Sequence, residues 1–197
     1  MSKGEQTREM ILERAAKLFN RQGYFGSSLS DIMRETGLEK GGIYNHFHSK
    51  EDLALEAFDY AIEVTGARFR TALEGKINAI ERLNAVISVF LDYLENSPVP
   101  GGCPILNTAV ESDDTQPALR ERAQKAMDGL FRTFRSIVRK GLECGEIRSG
   151  VNAEELASLI ISQVEGALML SKLYGDDTHL RRAVQHLNWY FENYVRA

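Results

Sequence analysis

Cysteine, proline and long apolar runs are all scarce in this chain, and each scarcity removes a class of protein. The 197 residues hold two cysteines, Cys103 and Cys144, far apart and without a CxxC pairing. No disulfide framework or structural zinc site can be built from that set, and the four histidines, His46, His48, His179 and His186, have no zinc-ligand spacing with it. Reduced thiols in a cytoplasmic protein, with no metal and no cofactor, are the expectation. No run approaches the roughly 18 apolar residues of a spanning helix, and the opening MSKGEQTREM lacks the apolar segment of a secretory signal, so no membrane partner is expected. The motifs GxSxG, HExxH, GxGxxG and the P-loop do not occur, and no carboxylates pair at helical spacing in an apolar setting. No catalytic residue is therefore assigned, and no enzyme is expected. Strand-like alternation, internal repeats and low-complexity segments are missing as well.

What is present is the mixture of a soluble globular protein, 43% hydrophobic and 26% charged, in a length that allows one sizeable core or two small ones. The net charge of −4 is unevenly spread. Residues 1–50 hold eight basic and six acidic side chains, a balance of +2, which leaves sixteen basic against twenty-two acidic, or −6, for the remainder. A basic head on an acidic body fits that asymmetry, as does a solvated charged face.

Three short helices are legible in that head. Ile11, Ala15, Leu18 and Phe19 follow the spacing of an amphipathic helix, which Gly23 closes. Ser28 and Asp31 have capping-box spacing, with Ser27 as a further candidate cap, ahead of a two-turn helix that buries Leu29, Ile32 and Met33. Gly37 breaks it. A further helix is expected over Lys40–Phe47, with Ile43 and Phe47 inward and Lys40, Gly41, Gly42, Tyr44, Asn45 and His46 towards solvent. Two short helices joined by a Gly-containing turn are the form of a helix-turn-helix, in which an amide such as Asn45 can read base edges while Lys40 and Tyr44 reach phosphates. Taken alone, the same pattern also occurs inside purely structural helical proteins. Gly41 and Gly42 each cost up to about 1 kcal/mol in a helix relative to Ala, and close approach of the backbone to DNA is one reason to keep them.

From Phe19 to Leu53 the chain resembles the TetR family of bacterial transcriptional regulators. Phe19, Gly23, Tyr24, Ser27, Ser28, Asp31, Ile32, Gly37, Lys40, Gly41, Tyr44, His46, Phe47, Ser49, Lys50, Glu51 and Leu53 fall on the positions of the family pattern. Met33 and Thr36 stand where alanines are usual, and Glu39 where a Ser cap is common; a carboxylate there suits the helix dipole but not a neighbouring phosphate. The resemblance implies an all-α fold of about nine helices: a three-helix DNA-binding domain over 1–48, then a ligand-binding and dimerisation domain over 49–197. It implies phosphate contacts from Ser27, Ser28, Lys50 and Thr7, and groove contacts from Lys40, Gly41, Gly42, Tyr44, Asn45 and His46. His46 can equally serve a local hydrogen bond.

Past Leu53 helices are expected over about Lys50–Gly75, Ile77–Asn96, Ile105–Glu111, Pro117–Cys144, Ala153–Tyr174 and Thr178–Val195, with SPVPGGCP and SDDTQP as breaks and Thr115 as a cap. The helix at Ala153 is apolar on more sides than one neighbour can cover, and together with the last helix it would form a homodimer interface. The resemblance further implies a cavity for an unknown small-molecule inducer, with Phe69, Phe90, Tyr93, Cys103, Met127, Phe131, Phe134, Glu165 and Met169 as candidate lining. The function expected is a ligand-responsive repressor that binds double-stranded palindromic operator DNA. The alternative is a related DNA-binding protein controlled by a thiol reaction at Cys103 or by a protein partner.

Overall fold

The structure, a computed structural model of the chain, describes residues 2–94, 96–112 and 114–197. Among them are nine α-helices and no strand, apart from one isolated bridge between Ile147 and Arg196. The chain divides into two compact units, Met1–Thr65 with Ser97–Ala126 and Gly66–Asn96 with Met127–Ala197.

The first unit contains α1 (Lys3–Gln22), α2 (Leu29–Thr36), α3 (Lys40–Tyr44), most of α4 (Lys50–Leu73), α6 (Pro104–Ser112) and the start of α7 (Pro117–Glu143). Its helix ends are set by local chemistry. Ser2 and Glu5 form a reciprocal capping box at α1, and Ser28 and Asp31 form another at α2. Gly37 ends α2 in the left-handed conformation (φ 69°), its N–H reaching the Met33 carbonyl at 2.8 Å. Helix α3 stops at Tyr44, short of the expected Phe47, where the amide of His46 takes the Ile43 carbonyl three residues back, at 3.0 Å, and shares it with the amide of Phe47 at 3.2 Å. Ile43 and Phe47 are nonetheless inward as expected, and they join Ile11, Leu18, Ile32, Leu53 and Val99 in one core. Each such side chain contributes about 1.5–3 kcal/mol on burial.

Two long-range clamps complete this unit. Asn20, at the end of α1, donates its side-chain amide to the carbonyls of Val99, Pro100 and Gly102 at 3.0–3.1 Å. Asn107 on α6 donates to the Asn20 carbonyl at 3.0 Å, to its side-chain oxygen at 2.9 Å and to the Gly101 carbonyl at 2.9 Å. Gly101 is required here, since its φ is 122° and a Cβ would lie 2.4 Å from the Asn20 carbonyl oxygen. The second clamp is Glu111 of α6, whose carboxylate accepts the backbone N–H groups of Tyr24 and Phe25, both at 2.8 Å. Thr115, expected to cap α7, instead donates to the Glu111 carbonyl at 2.7 Å and so finishes α6. The break around it includes Asp113, which lies outside the described residues.

The second unit holds the end of α4, α5 (Ala79–Val89), a 3-10 turn (Phe90–Tyr93), the rest of α7, α8 (Ala153–Tyr174), α9 (Thr178–Tyr190) and a π-helical turn (Phe191–Val195). The single helix expected over Ile77–Asn96 is therefore two elements, with Glu95 outside the described residues. The tighter 3-10 winding eclipses residues three apart, which places Phe90 and Tyr93 together on the buried side. Asn152 caps α8 through the amides of Glu154 and Glu155. By length and composition alone α8 is apolar enough to cross a membrane, although Ser158, Ser162, Gln163 and Glu165 interrupt its apolar run; half of that stretch is buried within the protein, as in a core helix.

Candidate nucleic-acid interface

The α2–turn–α3 segment presents a continuous outer surface. Lys40, Gly41 and Asn45 are exposed, Gly42, Tyr44 and His46 are half-buried, and Ile43 beneath them is closed to solvent. This is the division between inner and outer faces that the spacing predicts. Lys40 lies over the Tyr44 ring, its ammonium 5.7 Å from the centroid. A methyl group on Gly41 would meet nothing within 4 Å, and one on Gly42 only the Leu38 side chain at 3.5 Å and beyond. No neighbour among the described residues thus requires glycine at 41.

The frame around α3 is electrostatically defined. Asp31 accepts from the Ser28 hydroxyl and backbone N–H and from Arg34, and these bonds hold its carboxyl down at about 2. Ser28 itself is exposed at the start of α2. Ser27 is buried, and its hydroxyl donates to the Gly23 carbonyl at 2.7 Å; Ser28 is the exposed one of the pair, with its hydroxyl given to Asp31 at 2.6 Å. The Thr7 hydroxyl donates to the Lys3 carbonyl of its own helix at 2.9 Å. Lys50 donates to the Tyr24 carbonyl at 2.6 Å and lies 4.2 Å from the Tyr24 ring centroid. Partial burial pushes its pKa down, against the opposing pull of Glu111 and Asp31. One of its three donors is thus spent on holding the α1–α2 turn. Glu39 occupies the cap position of α3 in extended backbone but makes no side-chain capping bond. Arg8 pairs with Glu56 and covers the Phe47 ring at 4.9 Å, fixing α1 to α4.

The residues expected to line an inducer cavity are distributed differently. Phe69, Phe90 and Tyr93 form one aromatic group in the second unit, with centroid separations of 5.6 and 5.4 Å. Phe134 and Glu165 are buried in the same unit, where Met127 and Phe131 are half-buried. Met169 is 49% exposed, and Cys103 is buried in the first unit. None of the nine lines the crevice in the first unit bounded by Phe19, Tyr24, Phe58, Glu111 and Leu119, which at about 30 Å³ has room for no more than a water molecule or two. Sequence reasoning missed the two clamps described above. Their partners lie 79 to 87 positions apart, and no local pattern joins them.

Two family models match successive parts of the chain, and the second runs across residues 97–126 of the first unit. Residues 11–57 match the profile of bacterial regulatory proteins of the tetR family, and residues 79–187 that of the tetracyclin repressor-like C-terminal domain. The HTH-type transcriptional regulator YxaF of Bacillus subtilis is 30% identical over 91% of both chains. A crystal structure of a TetR transcriptional regulator from Chloroflexus aurantiacus is 50% identical, with a TM-score of 0.96 over 100% of this chain and 99% of that one. A transcriptional regulator from Saccharomonospora viridis, solved in complex with choline, is 27% identical, with a TM-score of 0.82 over 98% of this chain and 99% of its own.

Proposed function

The chain belongs to the tetR family of bacterial regulatory proteins and carries its helix-turn-helix, and we propose that it is a ligand-responsive repressor, binding palindromic operator DNA as a homodimer and released by a small-molecule inducer. The observation that carries the DNA half of this reading is the outer face of α3. A five-residue helix spends two positions on glycine, one of them over open space, with Lys40 and Asn45 exposed beside them. Backbone approach to a groove wall accounts for the glycines; Asn45 is placed to read a base edge, and Lys40 and Lys50 to grip phosphate. Tyr44, His46, Gly41 and Gly42 complete the groove surface. Thr7 and Ser27 have their hydroxyls turned to their own backbone and Ser28 gives its hydroxyl to Asp31, so all three contribute less.

Two further surfaces support the regulatory half. Leu159, Met169 and Leu173 of α8 are exposed by 47, 49 and 71%, and Trp189 and Tyr194 at the chain's end by 51 and 54%. Large apolar side chains left in water towards the end of the chain fit a face covered by a second copy, and on this reading Met169 belongs to the interface and not to the pocket. The aromatic group of Phe69, Phe90 and Tyr93, with Phe131, Phe134, Met127 and the carboxylate of Glu165, is the proposed inducer pocket. The choline-bound relative supports the idea that this fold accommodates a small molecule. The division of labour proposed is DNA binding by 1–48 and ligand binding with dimerisation by 49–197, in the cytoplasm. Release is a population shift: an inducer that binds more tightly to a dimer with the wrong head spacing lowers operator affinity by its differential free energy. Control through Cys103 is the second reading, and the burial of that side chain, 3% exposed, counts against it, because reactive thiols sit in accessible sites.

A gel shift with DNA from upstream of the protein's own gene, run at several salt concentrations and against a metabolite panel, tests the proposal. Salt-sensitive binding that a metabolite relieves supports it. No binding to any such fragment refutes the repressor reading, and binding relieved by thiol oxidation alone favours Cys103.

A further inference from the structure

The second unit contains a cleft of about 360 Å³ whose chemistry is unlike that of the aromatic group proposed for the inducer. It is lined by Leu73 at the end of α4, Arg82 on α5, and Arg132, Thr133, Ser136 and Ile137 on α7. No carboxylate lines it among the described residues. The two arginines differ from their neighbours: on α7, Arg122 pairs with Asp59, and Arg135 and Arg139 share Glu154, whereas Arg82 and Arg132 enter no ion pair among the described residues. The Nε of Arg82 is buried and finds no acceptor among the described residues. A buried charged donor in that condition is costly, and a site that keeps one has a use for it. Arg132 folds back along its helix, its guanidinium 3.6 Å from where a Cβ on Gly129 would stand, so the glycine leaves room for the fork. The Thr133 hydroxyl is spent on the Gly129 carbonyl at 3.1 Å, but that of Ser136 makes no hydrogen bond among the described residues. Leu73 and Ile137 supply an apolar wall.

Two guanidinium forks and a hydroxyl donor facing a cleft without acid are the complement of a carboxylate or a phosphate, which a planar fork binds through paired N–H bonds. We propose that this cleft binds the anionic head of a small amphiphilic metabolite, with Arg82 and Arg132 on the carboxylate or phosphate, Ser136 as a further donor, and the apolar part of the ligand against Leu73 and Ile137. The site is separate from the inducer pocket proposed above, since it shares no residue with that set, and its existence does not depend on operator binding.

Isothermal titration of the full chain with hexanoate, hexyl phosphate, inorganic phosphate and hexan-1-ol tests this. The expected result is saturable binding of at least one of the two hexyl anions, at least tenfold tighter than inorganic phosphate, with no binding of the alcohol. Preference for hexanoate or for hexyl phosphate identifies the head group. Arg132→Gln and Arg82→Gln should each weaken that binding at least tenfold with unchanged circular dichroism; Arg132 is exposed, so its variant decides the matter if Arg82→Gln folds poorly. Absence of saturable anion binding, equal binding of the alcohol, or affinity unchanged in Arg132→Gln would overturn the proposal. A parallel gel shift of the same preparation keeps the two readings apart, because loss of DNA binding bears on the repressor and leaves the titration standing.

Discussion

Replacing Gly41 by alanine separates what the free protein needs from what DNA needs. The added methyl meets nothing within 4 Å, so no steric cost arises inside the chain. Alanine is about 1 kcal/mol better than glycine within a helix, and somewhat less in the first turn of a helix this short, so Gly41→Ala should stabilise the free protein by about 0.5–1 kcal/mol. For a chain of this length that is a rise in Tm of about 1–4 °C. If the bare backbone at 41 lies against the groove wall, the same methyl costs operator affinity tenfold or more, which is about 1.4 kcal/mol or above. Thermal unfolding by circular dichroism measures the first quantity, and fluorescence anisotropy on a duplex selected from a random pool measures the second. A variant that is more stable and binds more weakly is the expected outcome. Unchanged affinity would show that the glycine is not there for DNA, and a fall in stability would show that the space around residue 41 has been misread.

Asn45→Ala should weaken binding to the selected duplex by about 1–3 kcal/mol and leave random DNA unaffected, while Lys50→Ala should weaken both and reduce the salt slope by about 1; equal loss of both DNAs in Asn45→Ala contradicts the base-reading role. Glu39→Ser should tighten binding to all DNA and stabilise α3 by about 1 kcal/mol, since it supplies the missing capping oxygen and removes an anion from the phosphate side, and anisotropy showing weaker binding would be against this. Asp31 titrates at about 2, below its ordinary 3.8, so its contribution to stability is complete above that ordinary value and is lost as pH falls through 2. The gap in Tm between the protein and its Asp31→Asn variant should accordingly narrow between about pH 4 and pH 2, and a gap that ignores pH would remove the capping carboxylate from the account.

Helix type and order were legible in this sequence because apolar period and capping signals agree at most helix ends. Ser28 with Asp31, Gly37, Asn152 and Gly175 each end or begin a helix where the local pattern asks for it. The Ser2–Glu5 box at the start of α1 has the same spacing. Boundaries failed where helical hydrogen bonding loosens, at Tyr44 and again at Val89, since the turn to 3-10 winding depends on how Phe90 and Tyr93 pack. Thr115 shows a further limit, for a threonine between two helices can serve either, and here it serves the one before it. Of the candidate site, the exposure of Lys40, Gly41 and Asn45 follows from periodicity alone. The engagement of Lys50 with Tyr24, the inward turn of Ser27 and the clamps made by Asn20, Asn107 and Glu111 do not, because each needs a contact that the local pattern cannot supply.

Methylation interference on a selected operator tests the central claim most directly, since guanine N7 lies in the major groove where α3 is proposed to sit. Two clusters of interfering guanines are predicted, related by a two-fold axis and centred about one helical turn apart, with two chains bound per duplex. A single cluster, one chain per duplex, or binding indifferent to guanine methylation would contradict a dimer reading successive major grooves through α3.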